Sequence, residues 1–83
     1  MYSVDWSSMA RAELSTIWNT APVSDDQLLI WAVADIVFRL ERDPENEGES
    51  RPMATRVLYS WPLAVWYEVR THNTVWIRYI WRY

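Results

Sequence analysis

Three runs of alternating side chains fill the chain from Arg56 to Arg82, and that periodicity of two constrains the fold more than any other feature. Val57, Tyr59 and Trp61 alternate with Arg56, Leu58 and Ser60. Leu63, Val65, Tyr67 and Val69 alternate with Ala64, Trp66, Glu68 and Arg70. After Thr71-His72-Asn73, Val75, Ile77, Tyr79 and Trp81 alternate with Trp76, Arg78, Ile80 and Arg82. Strands so close together pair antiparallel. A three-residue turn sets Arg70 against Thr74, Val69 against Val75, Tyr67 against Ile77 and Val65 against Tyr79. A two-residue turn would put Tyr67 against Arg78 and mix the faces, so the first register is expected.

The N-terminal half supplies what this sheet must pack on. Tyr2, Val4 and Trp6 alternate with Ser3 and Asp5 and predict a short strand. Ser7 or Ser8 offers a helix N-cap, and Ala10, Leu14, Ile17 and Trp18 form one helical stripe that ends before Pro22. Ser24 with Gln27 fits a capping box for a second helix, whose buried stripe is Leu29, Ala32, Val33, Ile36, Val37 and Leu40. That helix ends at Asp43-Pro44, and Asp35 with Arg39 is spaced for an i, i+4 pair. Residues 43–52 are the one strongly polar stretch and hold the sole glycine, which predicts a solvated surface connector. The three Glu there lack the spacing of a calcium loop. The fold expected is a single α+β domain over 1–83, with two helices on one face of a mainly antiparallel β-α-α-β-β-β sheet.

Composition then bounds the chemistry. Eighty-three residues leave no room for a barrel or a two-domain enzyme, while seven Trp and five Tyr give a small core enough area. The chain has no cysteine and one histidine, so thiolate catalysis, disulfides and the usual zinc sites are not expected, and no cofactor is. Eight Arg and no Lys against eleven acidic residues give a net charge of −3, which argues against binding duplex DNA through its phosphates. The longest apolar run, Leu28 to Ala34, is too short to span a membrane. The N-terminal residues carry no basic-then-apolar signal, so a cytoplasmic setting is expected.

The alternation has a functional consequence. If the apolar side lies under the helices, the other side shows Trp66, Glu68 and Arg70 beside Trp76, Arg78, Ile80 and Arg82, with Ala64. Trp66 opposite Arg78 and Glu68 opposite Trp76 would let guanidinium groups stack on indoles. Trp and Arg dominate binding hot spots, so Trp66, Trp76, Arg70, Arg78 and Ile80 are the candidate partner-binding residues. The bland alternative is tryptophans that merely shield an edge or pack under the polar loop.

In order along the chain, several pieces resemble RelE/ParE-type toxins of bacterial toxin–antitoxin modules. These are the Tyr-x-Val strand with Trp6, Ala10 and Leu14, and Leu40-Glu41-Arg42-Asp43-Pro44 followed by Gly48-Glu49-Ser50-Arg51. Arg56-Val57-Leu58 and Pro62-Leu63-Ala64-Val65-Trp66-Tyr67-Glu68-Val69 complete the set. The resemblance covers nearly the whole chain and implies the same fold, a cognate antitoxin partner and one of two activities. Members of one branch poison DNA gyrase; those of the other cleave mRNA on the ribosome with basic residues on the sheet and a C-terminal tyrosine. Arg56, Arg82 and Tyr83 stand at the nuclease-like positions, whereas Ala64 replaces an arginine of many nuclease members and their lysines are absent. RNA cleavage needs a base as well as cations, and arginine is a poor base. His72 lies in the turn, and Glu68 is the better base candidate, though a carboxylate beside Arg70 and Arg78 is ordinarily an ion-pair partner. The expectation is therefore a toxin that acts by binding or is catalytically degenerate. An mRNA endonuclease is the alternative, and an unrelated interaction module is a third.

Overall fold

The computed structural model describes residues 1–83. The elements in order are β1 (Ser3–Trp6), α1 (Ser8–Thr20), a 3-10 turn (Val23–Asp25), α2 (Asp26–Arg42), β2 (Glu49–Arg51), β3 (Thr55–Ser60), β4 (Leu63–Arg70) and β5 (Thr74–Arg82). The sheet order is β1-β5-β4-β3-β2, with β1 parallel to β5 and every other pair antiparallel. Both helices lie on one face. Ala10, Leu29, Ala32, Ile36 and Leu40 meet Leu58, Leu63, Val65, Tyr67, Val75, Ile77 and Ile80 in one core. This is the two-layer α+β architecture that the alternation predicts, with Val65 and Tyr67 fully buried.

Local chemistry sets the helix ends. Ser7 caps α1 by accepting the Ala10 N–H at 2.9 Å, and Ala21 ends it ahead of Pro22. The capping box expected from Ser24 and Gln27 does not form. Residues 23–25 wind instead as a 3-10 turn, α2 begins at Asp26, and Asp25 makes no side-chain cap. Ser24 lies inside that turn and is not the N-cap, and the carboxylate of Asp25, which is, is held by Arg82 at 2.7 Å.

The hairpin register holds from Arg70↔Thr74 to Tyr67↔Ile77 and then slips by one residue. A bulge inserts Arg78, so Trp66 pairs with Tyr79, Val65 with Ile80 and Ala64 with Trp81. Every side chain beyond Arg78 therefore changes face. Ile80, expected on the outer face, is 1% exposed in the helix-side core, while Tyr79 lies outside. Arg82, also expected outside, pairs with Leu63 and faces the helices. The cause lies in α1. β1 ends at Trp6, which would leave the edge of β5 open beyond Ile77. Ser7 donates its N–H to the Ile77 carbonyl (2.9 Å) and its hydroxyl to the Arg78 carbonyl (2.7 Å), and Glu13 Oε1 accepts the Ile80 N–H (3.0 Å). The bulge turns those main-chain groups toward the partners that α1 provides, as buried backbone polar groups require.

The connector 43–52 is also more than a solvated loop. It contains β2, which pairs with β3 through Glu49↔Val57 and Arg51↔Thr55, and it buries Pro44.

Candidate functional site

Antiparallel partners share a face, so the register defines the outer surface of the sheet. Thr55, Val57 and Ala64 form its buried floor, at 2%, 5% and 0% exposure. Above them stand Trp66 and Trp76, both half-buried, with Tyr59, Tyr79 and Trp81, all exposed. Trp66 and Tyr79 rings are 5.7 Å apart, and Tyr59 meets Tyr83 edge-on at 5.4 Å. The guanidinium of Arg70 lies 4.6 Å from the Trp76 ring centre, and that of Arg78 lies 5.9 Å from both Trp66 and Tyr79. Such cation–π contacts contribute about 0.5–1 kcal/mol each at exposed sites. Glu68, opposite Trp76, is ion-paired with Arg70, the bland role expected for it. The Trp66 Nε1–H finds no acceptor within the chain, so packing and the Arg78 stack hold this indole. The bulge is what adds Tyr79 to this surface and removes Ile80, and alternation alone contains no signal for it.

Arg56 sits on the opposite face. It pairs with Tyr67 across β3–β4, and its guanidinium closes the 44–51 segment. Nε donates to the Glu47 carbonyl (2.6 Å), one terminal nitrogen to the Gly48 carbonyl (3.1 Å) and the other to Ser50 Oγ (2.9 Å). The Tyr67 hydroxyl is shared between the Pro44 and Glu47 carbonyls, both at 2.8 Å. Burial, chiefly, pushes its pKa up to about 12. Arg39 completes the latch with two bonds to the Glu47 carboxylate, at 2.9 and 3.0 Å, besides its expected pair with Asp35 at 3.3 Å. A shallow cavity of about 280 Å³ beside Arg56 is lined by Glu45, Arg51 and Thr55 among others.

The hydrogen bond from Arg39 holds Glu47 below the usual carboxylate range, with burial opposing it. A lowered folded-state pKa means stability that is complete above the ordinary carboxylate value and is lost as pH falls through the lowered one. Denaturant unfolding at stepped acid pH should show this loss. Glu47→Gln should flatten the slope there and change neutral-pH stability by less than about 1 kcal/mol for the ion pair itself.

The three nuclease-like positions do not converge. Arg56 is level with Tyr67 and Arg82 with Leu63, four residues apart on β4, or roughly 13 Å along the strand. They also lie on strands flanking β4, roughly 10 Å apart. Arg82 is paired with Asp25, and Tyr83 packs on Tyr59. His72 occupies the 71–73 turn with φ of 61°, at the far end of β5 from Arg82. No group of three or more His, Cys, Asp or Glu side chains is placed to hold a metal ion, and no helix is long and apolar enough to cross a membrane.

No protein-family model matches the chain, and no curated protein does. Solved structures do. A chain of the chromosomal ParDE TA system from P. aeruginosa superposes with a TM-score of 0.75 at 22% identity, over 99% of this chain and 96% of that one. A chain of the toxin–antitoxin complex RelBE2 from Mycobacterium tuberculosis gives 0.75 at 24% identity, over 99% and 98%. The fold is the RelE/ParE type. On this RelE/ParE-type scaffold the helices cover one side of the sheet and leave the other as an aromatic surface edged by guanidinium groups. Such a surface can bind a protein through stacking and charge-assisted hydrogen bonds.

Proposed function

We propose that the chain is the toxin of a two-protein toxin–antitoxin module, neutralised by an antitoxin that covers the outer sheet face. We propose further that it acts by binding, either as a gyrase poison or as a catalytically silent toxin, and not by cutting mRNA. The RelE/ParE-type fold supports the first part. The observation that carries the second is the state of the arginines. Arg56 is engaged by Glu47, Gly48 and Ser50, Arg82 is engaged by Asp25, and the two lie at separated positions on opposite sides of β4. Either target, gyrase or the ribosome, places the protein in the cytoplasm.

Purified protein should inhibit DNA supercoiling by gyrase or leave it unchanged, and should leave mRNA intact on translating ribosomes. Arg56-dependent mRNA cleavage on ribosomes would reverse the assignment. The antitoxin is expected as a co-purifying protein when the neighbouring reading frame is expressed with this one. Trp76→Ala should weaken that complex by about 2 kcal/mol or more, roughly 30-fold in Kd, with a much smaller effect on unfolding. Titration calorimetry beside a denaturation curve separates the two, and an equal loss in both would make Trp76 a core residue instead.

A further inference from the structure

α2 has a second apolar face that nothing in the chain covers. Leu29, Ala32, Ile36 and Leu40 point into the core, whereas Ile30, Trp31 and Phe38 on the other side are 47%, 65% and 57% exposed. At about 100° per residue these three fall in one sector with Ala34 at its middle. Three large apolar side chains clustered on one exposed helix face mark an interaction site.

The order of residues on that face identifies the occupant. Ala34 lies midway between Ile30 and Phe38, and also midway between Asp26 and Arg42. Neither Asp26 nor Arg42 belongs to any of the five ion pairs in the chain. The Arg42 guanidinium rests 5.1 Å above the Phe38 ring, at the edge of the apolar sector. We infer that a second copy of this chain docks on α2 in antiparallel orientation, about a two-fold axis at Ala34. That axis sets Ile30 on the partner's Phe38 and Asp26 against the partner's Arg42, each contact made twice, as an isologous interface demands. Ala34, the small residue at the crossing, lets the helices approach closely with the Asp26-Ile30-Ala34-Phe38-Arg42 ridge of each laid along that of the other, at a crossing angle of about −50°. A parallel arrangement would instead oppose Asp26 to the partner's Asp26. Asp26 and Arg42 are roughly 24 Å apart along the 17-residue helix, so the two charge pairs flank the apolar contact centred on Ala34. One helix face is at the small end of specific interfaces, so the expected Kd is micromolar. α2 and the aromatic sheet face are on opposite sides of the sheet, so the pairing does not occlude the surface proposed for the antitoxin and does not depend on the toxin assignment.

Sedimentation equilibrium on the full chain tests this. The wild type should show a reversible monomer–dimer equilibrium in the micromolar range. Ala34→Arg, at an exposed position, should give a folded monomer, with circular dichroism as the check on folding. Arg42→Asp should raise Kd about tenfold by opposing like charges at both ends. Adding Asp26→Arg to Arg42→Asp should return Kd to within about threefold of the wild type, because the exchanged pair has the same complementarity. A wild type that stays monomeric at every concentration overturns the inference. So does a dimer that survives Ala34→Arg, or a charge exchange that fails to restore association.

Discussion

Tyr67→Ala should lower the unfolding free energy by about 3–5 kcal/mol, the range for large aromatic truncations in a core. The site favours the upper end. Tyr67 is fully buried and joins the sheet core to the 44–51 segment through its hydroxyl. The truncation therefore opens a cavity and also removes the donor that the Pro44 and Glu47 carbonyls share. For a domain of this size each kcal/mol shifts Tm by about 4–8 °C, so a fall of roughly 15 °C or more is expected in a thermal scan. Tyr67→Phe isolates the second contribution. It keeps the ring and leaves the Pro44 carbonyl short of its donor, at about 1–3 kcal/mol, whereas the Glu47 carbonyl retains Arg56 Nε. Alkaline titration gives an independent reading. The folded-state pKa of about 12 exceeds the ordinary tyrosine value of 10.0. The folded state thus holds its proton where the unfolded chain has lost it, and this contribution, complete below the ordinary value, disappears as pH rises through about 12. Tyrosinate absorbance should lose its last-titrating component in Tyr67→Phe. Identical titration curves would remove Tyr67 from the latch.

The sequence reveals what depends on repeated local pattern and conceals what depends on contacts far along the chain. Alternation places Val65 and Tyr67 under the helices and Trp66 and Trp76 opposite, because a slip in β4 would expose its whole apolar set. It also gives the hairpin register up to Tyr67↔Ile77. It misses the bulge, because Tyr79 and Trp81 in one phase and Ile80 in the other offer the core comparable apolar surface. The deciding groups are Ser7 and Glu13, which reach β5 across sequence separations of 71 and 67 residues. A distant partner also occupies the residue that does stand at the N-cap of α2, since the Asp25 carboxylate is bound by Arg82, 57 residues away. The 43–52 segment misleads for a different reason. Its side chains are polar, but Arg56 and Tyr67 mostly hold it through main-chain carbonyls, which every residue has and composition cannot register. For the site, pairing indoles with guanidinium groups on one face was legible; the loss of Ile80 and the gain of Tyr79 follow from the bulge and were not.

Gly48→Val should be the most damaging single change outside the core. Gly48 has φ of +69°, a left-handed conformation that costs a non-glycine residue about 1–2 kcal/mol and a β-branched one at least that. A Cβ there would lie 2.4 Å from the Val57 carbonyl oxygen and 2.9 Å from its carbon. Those atoms belong to β3, fixed between β2 and β4, so the strain falls on the 44–51 segment. Moving that segment displaces the Gly48 and Glu47 carbonyls from Arg56, the Pro44 and Glu47 carbonyls from Tyr67, and Glu47 from Arg39 together. A loss of about 3 kcal/mol or more in denaturant unfolding is expected, with hydrogen-exchange protection of β2 lost first. Gly48→Asn distinguishes the two causes. Asparagine tolerates positive φ, but its Cβ meets the same oxygen, so it should recover little of the loss. Recovery to near wild-type stability would mean that backbone conformation alone matters, and that the close approach of Gly48 to β3 is not what sets the position of the Arg56 latch.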